Sequence, residues 1–425
     1  MMREDFLHYV WRYQRYFQDQ LATSSGESVA VIDCGEVNLH GGPDFLNARI
    51  RIDGTLWAGH VEIHVLASEW NSHGHGTDAA YDNVILHVVL EEDCTIFRPG
   101  GERLACLVLG RRIPTGIQAA YFRMLQERSW IPCQSQWDRA GATAKQLWLE
   151  RMSVERLERQ THRLRGILEE YVGDWEEAFY CVIARNLGHP ANADPFEALA
   201  RRTPRKLLLR KRGAFEVSEA LLFGQAGFLE GDVEEGYPLH LQQEYRFLQA
   251  QYGLAPMRKS VWRFMRMRPA NFPTLRIAQL ARLVCQGEDL FDKAMVANGV
   301  GEWQQMFEVK VSQYWRTHYT FGEASPPRNK CLGKMAVHSL LINAVAPFLF
   351  LYGIVCHGPR YCQKAIQLLQ ELPPEDNHIL RKWEQLGLKP GDAAQGQGLL
   401  QLKTVYCDHQ KCTGCGIGHE IFKNA

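Results

Sequence analysis

The sequence predicts an α+β protein, a mixed sheet with an opening helix followed by a large all-α region. Three observations predict it. Alternating apolar runs fill the first hundred or so residues, and after "RRIPTG" the apolar period becomes helical, about 3.6 residues. Gly and Pro clusters punctuate that second part, with no internal repeat and no low-complexity tract. At 425 residues the chain is too long for one core, and the change of texture sets the expected domains at 1–117 and 118–425.

Each element has a local reason. Residues 5–21 mix charged and apolar residues at helical spacing. "SVAVIDCG" (28–35) is a short apolar strand ending in turn chemistry, and "LNARIRID" (46–53) alternates Ala48, Ile50 and Ile52 against Arg49, Arg51 and Asp53. Gly54 makes a turn, and "LWAGHVEIHVL" (56–66), "NVILHVVLEED" (83–93) and "ERLACLVLG" (102–110) continue the sheet. Helices are expected near 143–172, 175–187, 216–229, 241–252, 274–285, 303–315, 334–352, 360–371 and 376–386. Met335–Val355 is apolar and long enough to cross a bilayer. His338, Asn343, Pro347 and the lack of a second such span make it a buried core helix, ended or kinked near Pro347, and no membrane partner is expected.

Hydrophobic residues at 46% and charged ones at 23% are ordinary for a globular protein, and a net charge of zero does not mark the whole molecule as a polyanion binder. Between Arg201 and Arg282, however, 15 Lys or Arg face 7 Asp or Glu. "RRTPRKLLLRKRG" (201–213) and the arginine–aromatic stretch "KSVWRFMRMRPANFPTLRIAQLARL" (259–283) make this region, 201–282, the expected nucleic-acid contact. The alternative is a solvated basic helix face with Trp262 and Phe272 in the core. The N-terminus shows no cleavable signal, and twelve cysteines without one point to reduced thiols or metal ligands in the cytoplasm.

The chemistry concentrates in "GGPDFLNARIRIDGTLWAGHVEIHVLASEW" (41–70). Side chains alternate along a strand, so His60, Glu62 and His64 share one face while Val61, Ile63 and Val65 bury on the other. A hairpin through Gly54 brings Asp44 beside Glu62. Two adjacent carboxylates repel unless a cation joins them, and such oxygen donors suit Mg²⁺ or Mn²⁺, which activate water for phosphodiester cleavage. His73 and His75 follow Trp70, with Asp78 and Asp82 flanking Tyr81, on a loop leading to the strand of His87. A His-x-His loop can chelate a metal or donate to phosphate. Asp44, Glu62 and His64 are expected to meet at the sheet edge, open to solvent.

Opening helix, strand, Pro-Asp at the next strand, Glu-x-His on the third, a helix-like crossover and a fourth strand together resemble the core of the PD-(D/E)XK nuclease superfamily. The resemblance covers about residues 1–95 and implies a restriction-endonuclease-like domain. Asp44 and Glu62 then match the family's two acidic positions, and His64 falls where its lysine is expected. The series "GPDF…GHVEIH…W…H.H…D..Y..V.LHVV" also resembles a bacterial domain-of-unknown-function family, which lends no activity.

At the other end, "VYCDHQKCTGCGIGHEIF" places Cys407, Cys412 and Cys415 in a C-x₄-C-x₂-C run. Three soft thiolates suit Zn²⁺ or an iron–sulfur cluster. Cys331, Cys356, Cys362, His409 and His419 are candidates for a fourth ligand. The resemblance adds that some nuclease lineages hold an iron–sulfur cluster with cysteines in a different order. The expected function is a metal-dependent nuclease-like protein with Asp44 and Glu62 on the cation, His64 in place of the lysine, and His73 or His75 on phosphate or metal. The rivals are a His-rich Zn²⁺ hydrolase of another substrate class, and a nucleic-acid-binding protein that has lost catalysis. Oligomeric state has no signal in the sequence.

Overall fold

Asp53 and Gly54 both take positive φ (48° and 81°), the two-residue turn that suits the twist of a hairpin. It joins β3 (Phe45–Ile52) to β4 (Thr55–Leu66) in antiparallel register, with Phe45 opposite Val61 and Ile52 opposite Thr55. β1 (Val29–Asp33) and β2 (Glu36–Val37) both pair antiparallel with β3. On the other side, β5 (Val84–Glu91) runs parallel to β4, and β6 (Cys106–Val108) parallel to β5. The sheet is therefore mixed, in the order β1-β3-β4-β5-β6, with β4 at its centre. The computed structural model describes residues 2–210, 215–233, 236–286 and 289–425, so the end of the basic run 201–213 lies outside the described residues.

The opening helix, α1 (Glu4–Arg12), packs against β4 and is shorter than its periodicity suggests. Gln14 adopts a left-handed φ of 49°, which ends the helix. The guanidinium of Arg112 then donates to the carbonyls of Phe17, Asp19 and Gln20, holding the following segment as irregular chain. The crossover from β4 to β5 is made of α2 (Glu69–Ser72) and two 3₁₀ turns, not of a long helix. Glu69 Oε2 accepts the N–H groups of Val65 and Leu66, both at 2.9 Å, and pins the end of β4. Gly59 lets β4 approach the start of β5, because a Cβ there would lie 2.4 Å from Ile85 Cγ2.

The chain divides into two compact units, Met1–Trp148 with Leu402–Ala425, and Leu149–Gln401. These bounds differ from the expected 1–117 and 118–425: residues 118–148 and the cysteine-bearing tail pack with the sheet. The reason lies in the tail helix Gly416–Lys423, whose Phe422 meets Phe6 of α1 (ring centroids 6.2 Å) and Tyr121 (6.4 Å).

The helical unit has its own core, built on helices such as Trp175–Leu187 and Pro273–Cys285. Lys334–Val355 is long and apolar enough to cross a membrane by length and composition, with most of its apolar window buried in the protein. It is not broken at Pro347. The preceding turn, Leu341–Val345, widens to π geometry, which accommodates a residue without an N–H. The expected helix at 303–315 is two short ones, Val300–Met306 and Gln313–Thr317, separated by chain that buries Val309 and Val311.

The basic region is not one helix face. Arg201 pairs with Glu170 and Glu197, Arg205 with Glu176 and Asp289, and Lys206 with Asp174. Arg276 is buried, and Trp262 is a core residue donating to Ala226 O at 2.8 Å. Arg258, Lys259, Arg263, Arg266 and Arg268 remain exposed on chain built of 3₁₀ turns and loop before Pro273.

Candidate functional site: carboxylates and histidines over the central strand

The hairpin register puts Asp44 beside Glu62. The Asp44 N–H donates to Glu62 Oε2 at 3.1 Å, and Asp44 Oδ2 accepts from the Ile63 N–H at 2.9 Å. Each carboxylate is thus held by a backbone N–H across the hairpin, Glu62 by Asp44 and Asp44 by Ile63. Two residues along β4, His64 lies on the Glu62 side, its Nε2 3.5 Å from Glu62 Oε1. The expected trio therefore meets. It lies over the central strand, not at the sheet edge, and its floor is closed, with Glu62 4%, His64 1% and His87 0% exposed.

Gly74, with φ of 75°, turns the crossover loop so that His73 and His75 both face this floor. His75 stacks on Tyr81 (centroids 3.9 Å apart, 22° between planes) and meets Trp70 edge-on. Its Nε2 lies 3.2 Å from Glu62 Oε1, and His73 Nδ1 lies 3.2 Å from His64 Nε2. Ligand atoms of His64, His73 and His75 all fall within 4.8 Å of one another, from buried His64 to exposed His73. Solvent reaches the cluster at His73.

A second close set is Glu4, His8 and Asp44. His8 Nε2 is 3.4 Å from Glu4 Oε1 and 3.3 Å from Asp44 Oδ2. Sequence reasoning missed Glu4 and His8. The signal was present, since residues four apart share a face of α1, but it gains meaning only once that face is known to meet Asp44. His60 stays apart, its Nδ1 accepting from the Asn47 N–H at 3.3 Å. Asp78 caps a 3₁₀ turn through the Ala80 N–H.

The electrostatics are unusual for a buried cluster. Burial, and then the field of Asp44, push the Glu62 carboxyl up to about 8. Burial takes His64 down to about 4 and His87 down to about 3, with neighbouring imidazoles adding to both shifts. His8 goes the other way: burial opposes its charge, yet Asp44 and Glu4 outweigh that and raise it to about 9.

His64 Nδ1 and His87 Nε2 share one proton across 2.8 Å. With that proton on His64, its Nε2 lone pair faces Glu62 Oε1 and His73 Nδ1. His87 then carries its own proton on Nδ1, a buried atom with no hydrogen-bond partner. His75 Nε2 is likewise buried without a well-aligned hydrogen bond, though near Glu62 Oε1. Converging acceptors of this kind need a proton or a cation between them. Three imidazole nitrogens with one carboxylate suit Zn²⁺ or Mn²⁺, while the carboxylates of Glu4 and Asp44 in the second set favour Mg²⁺ or Mn²⁺. The donor set thus fits a divalent ion. The His64–His87 contact would orient His64 were it to bind such an ion.

The cysteines form a separate group in the same unit. Cys407 ends the turn Leu402–Cys407, Cys412 lies in the loop that follows, and Cys415 precedes the helix Gly416–Lys423. All three line one cavity, and the fourth cysteine there is Cys133, beside the 3₁₀ segment Gln134–Arg139. The expected fourth-ligand candidates lie elsewhere. Cys331, Cys356 and Cys362 belong to the helical unit, His419 Nδ1 sits 3.3 Å from Tyr9 Oη, and His409 does not line this cavity.

No curated protein and no solved structure matches the chain. The family model described as "Protein of unknown function (DUF2851)" matches residues 4–378, which include Glu4, His8, Asp44, Glu62 and the histidine cluster, and the chain belongs to that family.

Proposed function

We propose that the chain is a divalent-metal-dependent hydrolase of phosphodiesters, acting on nucleic acid as the PD-(D/E)XK nucleases it resembles do. The observation that carries this reading is the convergence of Asp44, Glu62 and His64 on one cluster flanked by two close donor sets. Support comes also from the element order, with α1, an antiparallel meander and a parallel crossover strand in the sequence that the resemblance implies. Asp44 and Glu62 would hold Mg²⁺ or Mn²⁺, with Glu4 and His8 beside them. A bound ion supplies an activated water and stabilises charge on the scissile phosphate.

The chain's own residues have distinct tasks. His64 is neutral and offers a lone pair, so it replaces the family's lysine as a ligand or proton acceptor, not as a cation. Glu62 would hold the ion as a carboxylate, without the proton that its burial favours. His73, at the solvent side, is placed to contact phosphate. The exposed Arg258, Lys259, Arg263, Arg266 and Arg268 would meet a nucleic-acid backbone, giving salt-sensitive binding. Twelve free thiols fit a reducing cytoplasm.

The set His64, His73 and His75 favours a second reading, a zinc-dependent hydrolase of another substrate class. Metal analysis of the purified chain, followed by cleavage assays on single-stranded and duplex DNA and on RNA, tests both. The nuclease reading expects Mg²⁺- or Mn²⁺-dependent cleavage that is lost in Glu62→Gln and Asp44→Asn. Retained zinc without nucleic-acid cleavage supports the second reading. Salt-sensitive binding without cleavage under any ion leaves a binding protein that has lost catalysis.

A further inference from the structure

We infer that the helical unit carries a docking cleft for an extended, acidic peptide strand of a partner protein. Two segments of that unit, 307–310 and 329–334, line one cleft of about 580 Å³. Between the helices that flank them, neither belongs to a sheet.

Both segments nevertheless have the burial pattern of a strand. Val309 and Val311 are buried while Glu308 and Lys310 are exposed. Lys330 and Leu332 are buried while Asn329 and Cys331 are exposed. Such alternation is what an extended chain shows when one side packs on a core.

Their main chains are unpaired. Among the described residues, the N–H groups of Val309, Lys310 and Val311 have no hydrogen-bond partner, and neither do those of Lys330, Cys331 and Leu332. A run of unpaired N–H groups along an extended chain is a template for a further strand.

The template is held from behind. Gln286 Nε2 donates to Glu308 O at 3.2 Å, and Gln279 Nε2 donates to Lys330 O at 2.9 Å. Lys330 Nζ donates to His318 O at 2.8 Å and to Ser325 Oγ at 3.0 Å. Segments fixed in this way lose little further freedom on binding.

Charge and floor select the partner. Arg282, Lys310 and Lys334 line the cleft against a single acid, Glu308, among the described residues. Arg282 lies over the Phe215 ring at 4.9 Å. Lys310 and Lys334 are exposed and, among the described residues, outside any ion pair. Val309, Leu332 and Val337 give the cleft an apolar floor. A strand that alternates acidic and apolar side chains satisfies both, one face toward the cations and the other toward the floor. Nucleic acid fits less well. The aromatic residue among the described lining residues, Phe307, is buried, so no ring there can stack a base.

The test uses the full chain, with an alternating Glu–Val peptide, an alternating Lys–Val peptide and single-stranded DNA as probes. Amide hydrogen exchange reads the main chain directly. Residues 309–311 and 330–332 should exchange fast in the unbound chain, and the acidic peptide should slow them by about tenfold or more. Lys310→Glu combined with Lys334→Glu should weaken binding of that peptide by about tenfold and reduce its sensitivity to salt. Both lysines are exposed, so the melting temperature should hold. Binding without slowing of those amides overturns the strand mode, and equal binding of the basic peptide overturns the choice of partner. Amides already protected in the unbound chain, no binding of the acidic peptide, or protection of these amides by DNA in its place refutes the docking cleft.

Discussion

Glu177 of the helical unit and Glu62 of the sheet unit are buried to the same degree, each 4% exposed, in opposite kinds of surroundings. Glu177 receives the backbone N–H groups of Arg205 and Lys206, both at 2.8 Å, so each oxygen meets a donor at the start of the helix Arg205–Leu209. Glu62 has one such bond, from Asp44, and its other oxygen faces the ring nitrogens of His64 and His75. Buried polarity that closes on itself is structural, because removing a partner strands the other. Buried acceptors that face one another wait for something from outside the chain. The comparison separates the two roles without reference to residue type.

The largest expected effect follows from Glu62. Glu62→Gln should lower divalent-dependent cleavage on the order of 10³-fold, since the ion's charge stabilisation is worth several kcal/mol. The melting temperature of the metal-free protein should hold or rise, because a buried acid is replaced by a neutral amide. A fall in stability without loss of cleavage would make Glu62 structural after all. Glu177→Ala should do the reverse. Leaving the buried Arg205 N–H unpaired costs about 1–3 kcal/mol, visible in chemical denaturation, with metal binding at the sheet unit unaltered.

A smaller effect concerns pH. His64 and His87, lowered to about 4 and 3 from 6.5, bind fewer protons folded than unfolded, so their share of stability grows as pH rises to about 6.5. Glu62, raised from 4.5 to about 8, and His8, raised from 6.5 to about 9, act in the opposite sense. Between pH 6.5 and 9 only the raised pair titrates among these four. The metal-free chain should therefore lose stability across that window, and saturating Mn²⁺ should abolish the part due to Glu62. Melting curves from pH 5 to 9, with and without the ion, check this. A flat metal-free profile would remove the protonated Glu62 from the account.

The smallest effect tests an exception to the helical pattern. Glu219 is fully buried, and burial holds its carboxyl well above the ordinary range, with neither oxygen in a well-formed hydrogen bond. A raised acid loses stability as pH climbs above its unfolded value. Glu219→Gln should therefore stabilise the chain by about 1 kcal/mol at pH 8 and by less at pH 5. Equal change at both pH values would mean that Glu219 does not titrate with folding.

Much of the sheet was legible. Alternation located β1, β3, β4 and β5, and the hairpin through Gly54 set Asp44 beside Glu62, because period-two geometry and a tight turn are local properties. What escaped depended on distant partners. The apolar residues of 13–21 keep helical spacing, yet the left-handed Gln14 ends α1 and Arg112 captures the carbonyls that follow. Glu4 and His8 are ordinary surface residues until Asp44 is placed beneath them. Cys133 carries no spacing motif, since its partners follow roughly two-thirds of the chain later. Acceptor facing acceptor is a property of orientation, which no residue spacing conveys.

The sheet unit is discontinuous in sequence, and this has a consequence in time. Roughly 270 residues separate Cys133 from Cys407, and at ribosomal rates of about 5–20 residues per second their synthesis takes on the order of 15–55 s. Throughout that interval α1 has emerged without the segment carrying Phe422, and Cys133 has none of its three sulfur neighbours. The helical unit is finished first, although the sheet began earlier. A nascent chain halted within those residues would display an incomplete wall beside Glu4 and His8, so maturation of the carboxylate–histidine cluster is tied to the segment made after the helical unit.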